Sequence, residues 1–258
     1  PPAGSQFTIV RVALGYFGVD DPQSLFLPTV SAIGAGSVEL PTDCGIVFDA
    51  LPLFSDVFAG GVVQGNLCFV TTTADVPALS LYGSGDFFGD NVFLNTAGAD
   101  GSVPPMSGLR GAQAGAASTA GRTAPIAIGT PADVGSGWQL TINGPGSDIT
   151  QQVLAANSFN SPPPAGYVFF GVPITLTYNG ADSASPFEVT TGLVGAGNVS
   201  QTGSCGVVEG EPDLFSDVFA GGSVSGLACV AVPADEIGTF VVTARGDFDQ
   251  PTRFFAVS

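Results

Sequence analysis

The sequence predicts an all-β protein built as two tandem β-sandwich modules, each closed by one disulfide. Three observations carry this reading. The stretch LFSDVFAGG occurs twice, letter for letter, at Leu53–Gly61 and Leu214–Gly222. Each copy lies between two cysteines, Cys44 and Cys68 and then Cys205 and Cys229, with the same spacing of 24 in both pairs (68 − 44 and 229 − 205) and an offset of 161 between copies (205 − 44). Finally, 37 Gly and 20 Pro punctuate many short runs rich in Val, Thr and Phe, which is the profile of a turn-rich β protein. Two copies at this distance suit a duplicated domain; a propeller would show more.

The totals support two cores. A chain of 258 residues suits two domains of ordinary size. It is 45% hydrophobic with 20 Phe and only 10% charged, so burial rather than ion pairing must carry its stability. Net charge is −17, with no Lys and no His. Such a surface repels nucleic-acid phosphates and anionic lipid alike. No apolar run approaches the roughly 18 residues of a membrane span. Pro1-Pro2-Ala3-Gly4 does not read as a signal peptide, so an export signal is expected upstream of it. LPTDC at Leu40–Cys44 has only a superficial likeness to a sortase signal and lacks its spacing and tail.

Two equally spaced cysteine pairs read as the disulfides Cys44–Cys68 and Cys205–Cys229. Zinc would want close Cys-x-x-Cys spacing or His partners, and neither is present. Disulfides persist in oxidising surroundings, so the expected location is extracellular or the cell surface.

Along the chain, the first module is expected over 1–97, with strands at Phe7–Gly15, Ser24–Thr29, Ser37–Leu40, Val62–Val70, Leu79–Tyr82 and Asn91–Asn95. Residues 98–123 are small, polar and rich in breakers, and read as a linker or exposed loop open to O-glycosylation. The second module, 124–258, opens with strand-like Pro125–Gly129 and Trp138–Ile142, joined by a turn containing Gly135 and Gly137. A short helix over Gln151–Ala156, capped by Asp148 or Thr150, comes next. Tyr167–Tyr178 reads as a long strand, followed by Phe187–Thr191, Ser223–Ala231, Thr239–Ala244 and Thr252–Val257. Trp138, the only Trp, is expected in the core.

Within the repeat, Asp56 and Asp217 are expected to start a turn, the Phe side chains to pack inward, and Gly60-Gly61 and Gly221-Gly222 to release the chain into the next strand. Other patterns have plain structural readings. Arg245-Gly246-Asp247 spells an adhesion tripeptide but reads as a β-turn. Asn198-Val199-Ser200 is a short glycosylation sequon of the kind that arises by chance. Asp86, Asp90 and Asn91, or Asp247 and Asp249, lack a calcium-loop spacing and read as solvated turn acids.

Past these motifs, the second module resembles a known family. AGRTAPIAIGTPADVGSGWQLTI, VLAANSFNSPPPAGYVFFGVPITLTYNG, CGVVEGEPDLFSDVFAGGSVSGLACVAVPADE and the closing RFFAV resemble a group of actinobacterial extracellular domains of unassigned function, akin to the mycobacterial immunoprotective extracellular protein. The resemblance covers Gly121–Ser258 and, less completely, Ala3–Asn95. It implies an immunoglobulin-like sandwich, secretion and a non-enzymatic role. The first module departs from the pattern: it has no counterpart of Pro125–Asn160 ahead of it, so two strands and the helix are missing.

Function follows from what is absent and what is unfinished. Without His or Lys there is no Ser-His, Cys-His or Ser-Lys pair and no Schiff base. No enzyme activity, cofactor or metal is expected. A sandwich without its first strands offers an edge that either residues upstream of Pro1 or a strand added by another chain would cover. The expected role is an extracellular structural protein that self-assembles into a filament or layer through complementation of the first module. The alternative is a soluble secreted module that binds or adheres to a host protein, glycan or envelope component.

Overall fold

Both modules are organised around one antiparallel pair of long strands. The computed structural model describes residues 1–16, 23–24, 29–53, 55–84, 92–96, 121–247 and 250–258. The chain divides into two units, whose described parts are 1–96 and 121–258.

In the first unit the strands are β1 (Ser5–Gly15), β2 (Gln23–Ser24), β3 (Thr29–Ile33), β4 (Asp56–Val57), β5 (Val62–Thr72), β6 (Ser80–Ser84) and β7 (Val92–Asn95). β1 pairs with β5 in an unbroken register from Ser5 opposite Thr72 to Gly15 opposite Val62. A second sheet runs β3-β6-β7, and β2 pairs with β4. Among the described residues one core cluster joins Ala32, Leu40, Phe69, Leu79 and Leu81, with Val10, Val12 and Leu67 half-buried against it, and Leu51, Val57, Phe58, Ala59, Val62 and Val63 are buried as well.

The second unit holds β8 (Ala132–Gly135), β9 (Trp138–Ile142), β10 (Ser147–Asp148), helix α1 (Thr150–Ala156), β11 (Tyr167–Tyr178), β12 (Ser183–Ala184), β13 (Thr190–Val194), β14 (Ser200–Gln201), β15 (Val218–Phe219), β16 (Ser223–Pro233), β17 (Val241–Arg245) and β18 (Arg253–Ala256). One sheet runs β10-β11-β9-β8, with β16 on the other side of β11; the facing sheet runs β14-β13-β17-β18. Between them lie Trp138, Leu140, Ile142, Val172, Ile174, Leu176, Val242 and Phe255, all buried. Alternation along β11 sends even-numbered residues into this core. Phe169 points the other way, into a smaller cluster with Ile149, Val153 and Val208 on the face where α1 packs. Asp148 Oδ1 accepts from Thr150 N (2.9 Å), but the N-cap position is Ile149 and has no side-chain cap, so neither Asp148 nor Thr150 caps the helix as expected.

The two disulfides, Cys44–Cys68 and Cys205–Cys229, each tie a loop to the second long strand of the pair, with Cα separations of 6.2 Å and 5.6 Å. A glycine on that strand lets the crossing loop come close. A Cβ on Gly65 would collide with the Leu51 backbone, and one on Gly226 with Pro212.

The repeated turn is set two residues later than the sequence suggested. Gly61 N donates to Phe58 O (2.8 Å) and Gly222 N to Phe219 O (2.8 Å), so the reversals are Phe58–Gly61 and Phe219–Gly222. Asp56 and Asp217 do not start them. Asp56 lies in β4 opposite Ser24, and Asp217 immediately precedes β15. The turns need a left-handed residue at their third position, and Gly60 (φ +80°) and Gly221 (φ +81°) supply it. Both are anchored to the first long strand: Gly60 N donates to Tyr16 O (2.8 Å), Gly221 N to Tyr178 O (2.7 Å). The Phe side chains do not all pack inward either. Phe58 is buried, but Phe215 and Phe219 are exposed. Gly221→Ala should lower stability by about 1–2 kcal/mol through backbone strain alone, read as a lower urea midpoint at unchanged slope.

Three further boundaries move. Pro125–Gly129 contributes a single bridge, Ile126 to Phe255, rather than a strand. The missed strand β8 is too short and polar to show a period. Pro186 opens a 3-10 turn over Pro186–Glu188, so the strand expected at Phe187 begins at Thr190. Arg122, placed in the linker by composition, belongs to the second unit: its guanidinium donates to Asn198 Oδ1 and Gly195 O. The rest of the expected linker, 98–120, lies outside the described residues.

A second repeat, Gly34-Ala35-Gly36 and Gly195-Ala196-Gly197, cradles a carboxylate in each unit. Ala35 N donates to Asp75 Oδ1 (3.1 Å) and Gly197 N to Glu236 Oε2 (3.1 Å). Asp75 also accepts from Thr72 N and Oγ1, both at 2.8 Å. The Thr72 backbone N–H, then its hydroxyl, hold the Asp75 carboxyl below the usual 3.8. A lowered native pKa stabilises the fold above the unfolded value, and that contribution is lost as pH falls through the native one. The first unit should therefore lose stability as pH drops below about 3.8, and Asp75→Asn should flatten that dependence in acid titrations followed by hydrogen exchange of β5.

Candidate interaction surface

The two long-strand pairs are counterparts, and comparing them shows where their described pairing differs. β11 is paired on both sides: with β16 along its length, and with β9 over Ile174–Tyr178 and β10 over Phe170–Gly171. Among the described residues β1 is paired on one side only, with β5. Tyr16 N donates to Gly61 O (3.0 Å), which fixes the parity of the ladder. Even-numbered residues of β1 direct their N–H and C=O groups to β5; Phe7, Ile9, Arg11 and Ala13 direct theirs to the open edge. In the second unit the matching carbonyls have donors: Ile149 N donates to Phe169 O and Asn143 N to Pro173 O, both at 2.8 Å.

Side chains report the same gap. Phe7 is 47% exposed, whereas its counterpart Phe169, under α1, is 6% exposed. Ile9 is exposed beside Cys68, which it faces across the ladder. On the inner face Val10, Val12 and Leu14 are half-buried where Val172, Ile174 and Leu176 are buried by β9. The far sheet repeats the pattern. Leu94 on β7 is 59% exposed, while its counterpart Phe255, bridged by Ile126, is 0% exposed.

β1 also has a distinctive charge. No acidic residue precedes Asp20, and Arg11 is the only basic side chain before Arg110. The strand has neither an internal proline nor a bulge, two of the devices that normally blunt an edge.

A separate feature lies in the second unit. Phe187 and Phe215 are exposed and stacked at 5.7 Å. Their loops are locked together: Phe187 N and Ser185 Oγ both donate to Leu214 O, at 3.1 and 2.9 Å. Asp213 Oδ1 accepts from Phe215 N (3.0 Å) and Ser216 N (3.1 Å). The Ser216 hydroxyl first, then these N–H groups, hold Asp213 below the usual carboxylate range. Phe187 borders a cleft of 600 Å³ lined by Glu188, Thr190, Thr191, Thr202 and Asp247. Phe26 and Phe54 stand at the same offset in the first module, but both lie outside the described residues. Sequence reading expected Phe215, as part of the repeat, to pack inward and placed Phe187 in a strand; the duplicated pair was the available signal.

The other singled-out residues are structural in setting. Gly246 N donates to Val134 O (2.6 Å), pinning Arg245-Gly246-Asp247 against the end of β8. The Asn198 side chain is held by Arg122. Trp138 is buried against Tyr178. Asp86, Asp90, Asn91 and Asp249 lie outside the described residues. Among the described residues no three His, Cys, Asp or Glu side chains gather closely enough to hold a metal ion, and no helix is long and apolar enough to cross a membrane.

No protein-family model and no curated protein matches the chain. Solved structures similar to it include an uncharacterised β-sandwich protein from Clostridium difficile (9% identity, TM-score 0.34, covering 52% of this chain and 95% of that one). The yjhA protein from Bacillus subtilis is similar at 12% identity and TM-score 0.32, covering 51% of this chain and 99% of its own. A conserved hypothetical protein from Bacillus anthracis is similar at 9% identity and TM-score 0.30, covering 49% and 94%. The chain itself is a nearly all-β protein of two units, each built on several small sheets and each holding one disulfide.

Proposed function

We propose that the protein is a non-enzymatic extracellular building block that associates with its own kind through the open edge of the first unit. The observation that carries this is β1, a straight, bulge-free strand of eleven residues with one side unpaired by any described residue. Two disulfides and the lack of His and Lys support an extracellular, non-catalytic role. So does the resemblance of the second module to secreted actinobacterial domains. A neighbouring chain that adds a strand to β1 completes the first sandwich, and the associated molecules then build a filament or layer. Electron microscopy and light scattering of the purified chain test this. Association that rises with concentration, with slowed amide exchange in β1, is the expected result; a monomer at every concentration refutes it.

The locked Phe187–Phe215 pair beside its cleft favours a second reading, a secreted binding module. That reading expects a glycan or protein ligand whose affinity falls at least tenfold on Phe187→Ala, with the monomer as the active species.

A further inference from the structure

Resting on the binding-module reading, we infer that the cleft beside Phe187 and Phe215 is a site for an uncharged glycan, with a pyranose ring laid on the phenylalanine pair and its hydroxyls turned to the cleft wall. The cleft lies wholly within the second unit. Its volume of about 600 Å³ falls inside the range of about 300–1,000 Å³ usual for small-ligand sites.

The platform is exposed and fixed in advance. Phe187 and Phe215 are 67% and 83% exposed, and their rings stack with an interplanar angle of 23°. A phenyl ring presents the negative part of its quadrupole on its face. The C–H groups on one face of a pyranose meet that surface while the sugar hydroxyls stay clear of it. Pro186 opens the turn that carries Phe187, Asp213 holds the turn that carries Phe215, and Leu214 O ties the two loops together. Little ordering cost then falls on binding.

The wall selects the class of ligand. Ser136, Thr190, Thr191 and Thr202 bear hydroxyls, Glu188 and Asp247 bear carboxylates, and no described lining residue is basic. Ionised carboxylates only accept hydrogen bonds, whereas hydroxyls donate and accept. A sugar hydroxyl does both and suits the mixture. A Lys or Arg side chain only donates, and leaves the hydroxyl protons of the wall without acceptors. A phosphate, uronate or sialate would meet these carboxylates on a chain of net charge −17 that has no Lys or His to offset them. Glu188 follows Phe187 in the same 3-10 turn, so one backbone segment carries both platform and acceptor.

The first module supplies an internal comparison. At the offset of 161 it keeps both phenylalanines, Phe26 and Phe54, but has Leu27 for Glu188, Val30 for Thr191 and Pro41 for Thr202. The polar side chains are missing from those positions, so one glycan per chain is expected.

The test uses the full chain on an array of uncharged and acidic oligosaccharides, then calorimetric titration with the uncharged oligosaccharide retained most strongly. Binding confined to uncharged glycans, at one per chain, is expected. Phe187→Ala should weaken it by about tenfold or more. Glu188→Gln keeps the shape and removes the charged acceptor, and should weaken it by about tenfold. Both side chains are exposed, so an unmoved tryptophan unfolding transition shows that each variant is folded. Preference for acidic glycans, or glycan binding that survives Phe187→Ala, overturns the assignment. An array without binding, together with a lysine-rich peptide that binds the native chain and is lost in Phe187→Ala, overturns the glycan and leaves the binding-module reading standing. Binding of neither overturns both.

Discussion

Removal of the first disulfide, by Cys44→Ser together with Cys68→Ser, is expected to unfold the first unit and leave the second folded. A bridge across 24 residues restrains the unfolded chain by on the order of 3 kcal/mol. Domain stabilities lie at about 5–15 kcal/mol, and small cores sit at the low end. Among the described residues the first unit buries twelve hydrophobic residues and the second twenty-eight. Among the same residues the first unit's long strand β1 is paired on one side only. The same loss should therefore exceed the first unit's margin and only lower the second's. Two probes separate the units, since Trp138 is the only Trp and lies in the second. Amide exchange in β1 and β5 should become fast, while the tryptophan fluorescence transition stays in place. Protected β1–β5 amides in the double variant would contradict the account. Cys205→Ser with Cys229→Ser should move the fluorescence transition without abolishing it.

The second large effect is expected at Trp138. Its ring is fully buried between the sheets, 5.0 Å from the Tyr178 ring. Trp138→Ala should cost about 3–5 kcal/mol, because the void cannot close against two hydrogen-bonded sheets. Trp138→Phe should cost far less than its lost volume suggests. The indole Nε1 is buried without a hydrogen-bond partner, so the native side chain already bears an unmet desolvation cost that phenylalanine lacks. Urea unfolding followed by circular dichroism checks both variants. Equal losses for Ala and Phe would show that packing around the six-membered ring contributes little.

Much of this architecture was legible because duplication left two copies to compare. Tyr167–Tyr178 was bounded to the residue, since its alternation is long and its ends carry Gly166 and Asn179. The cysteine pairing followed from spacing. Features set by tertiary contact were hidden. Nothing in the letters LFSDVFAGG says that Phe58 is buried while Phe219, at the same place in the repeat, is exposed. Asp217 does not start the repeated turn, which begins at Phe219, whereas Asp213, just outside the repeat, accepts from Phe215 N and Ser216 N. The aspartates differ in backbone setting, not in local composition. Arg122 was lost in a Gly/Ala-rich stretch because its partners, Asn198 and Gly195, lie more than seventy residues away.

The acid-free character of β1 carries a consequence for how solution conditions act on the molecule. Two bodies of net charge −17 repel each other at long range even where the touching strands do not. Dissolved ions screen that repulsion beyond about 8 Å at physiological strength. Added salt should thus tighten the proposed association of copies, opposite to the response of a complex held by ion pairs. Dilute buffers of low ionic strength would then be the conditions in which the separate chain is found.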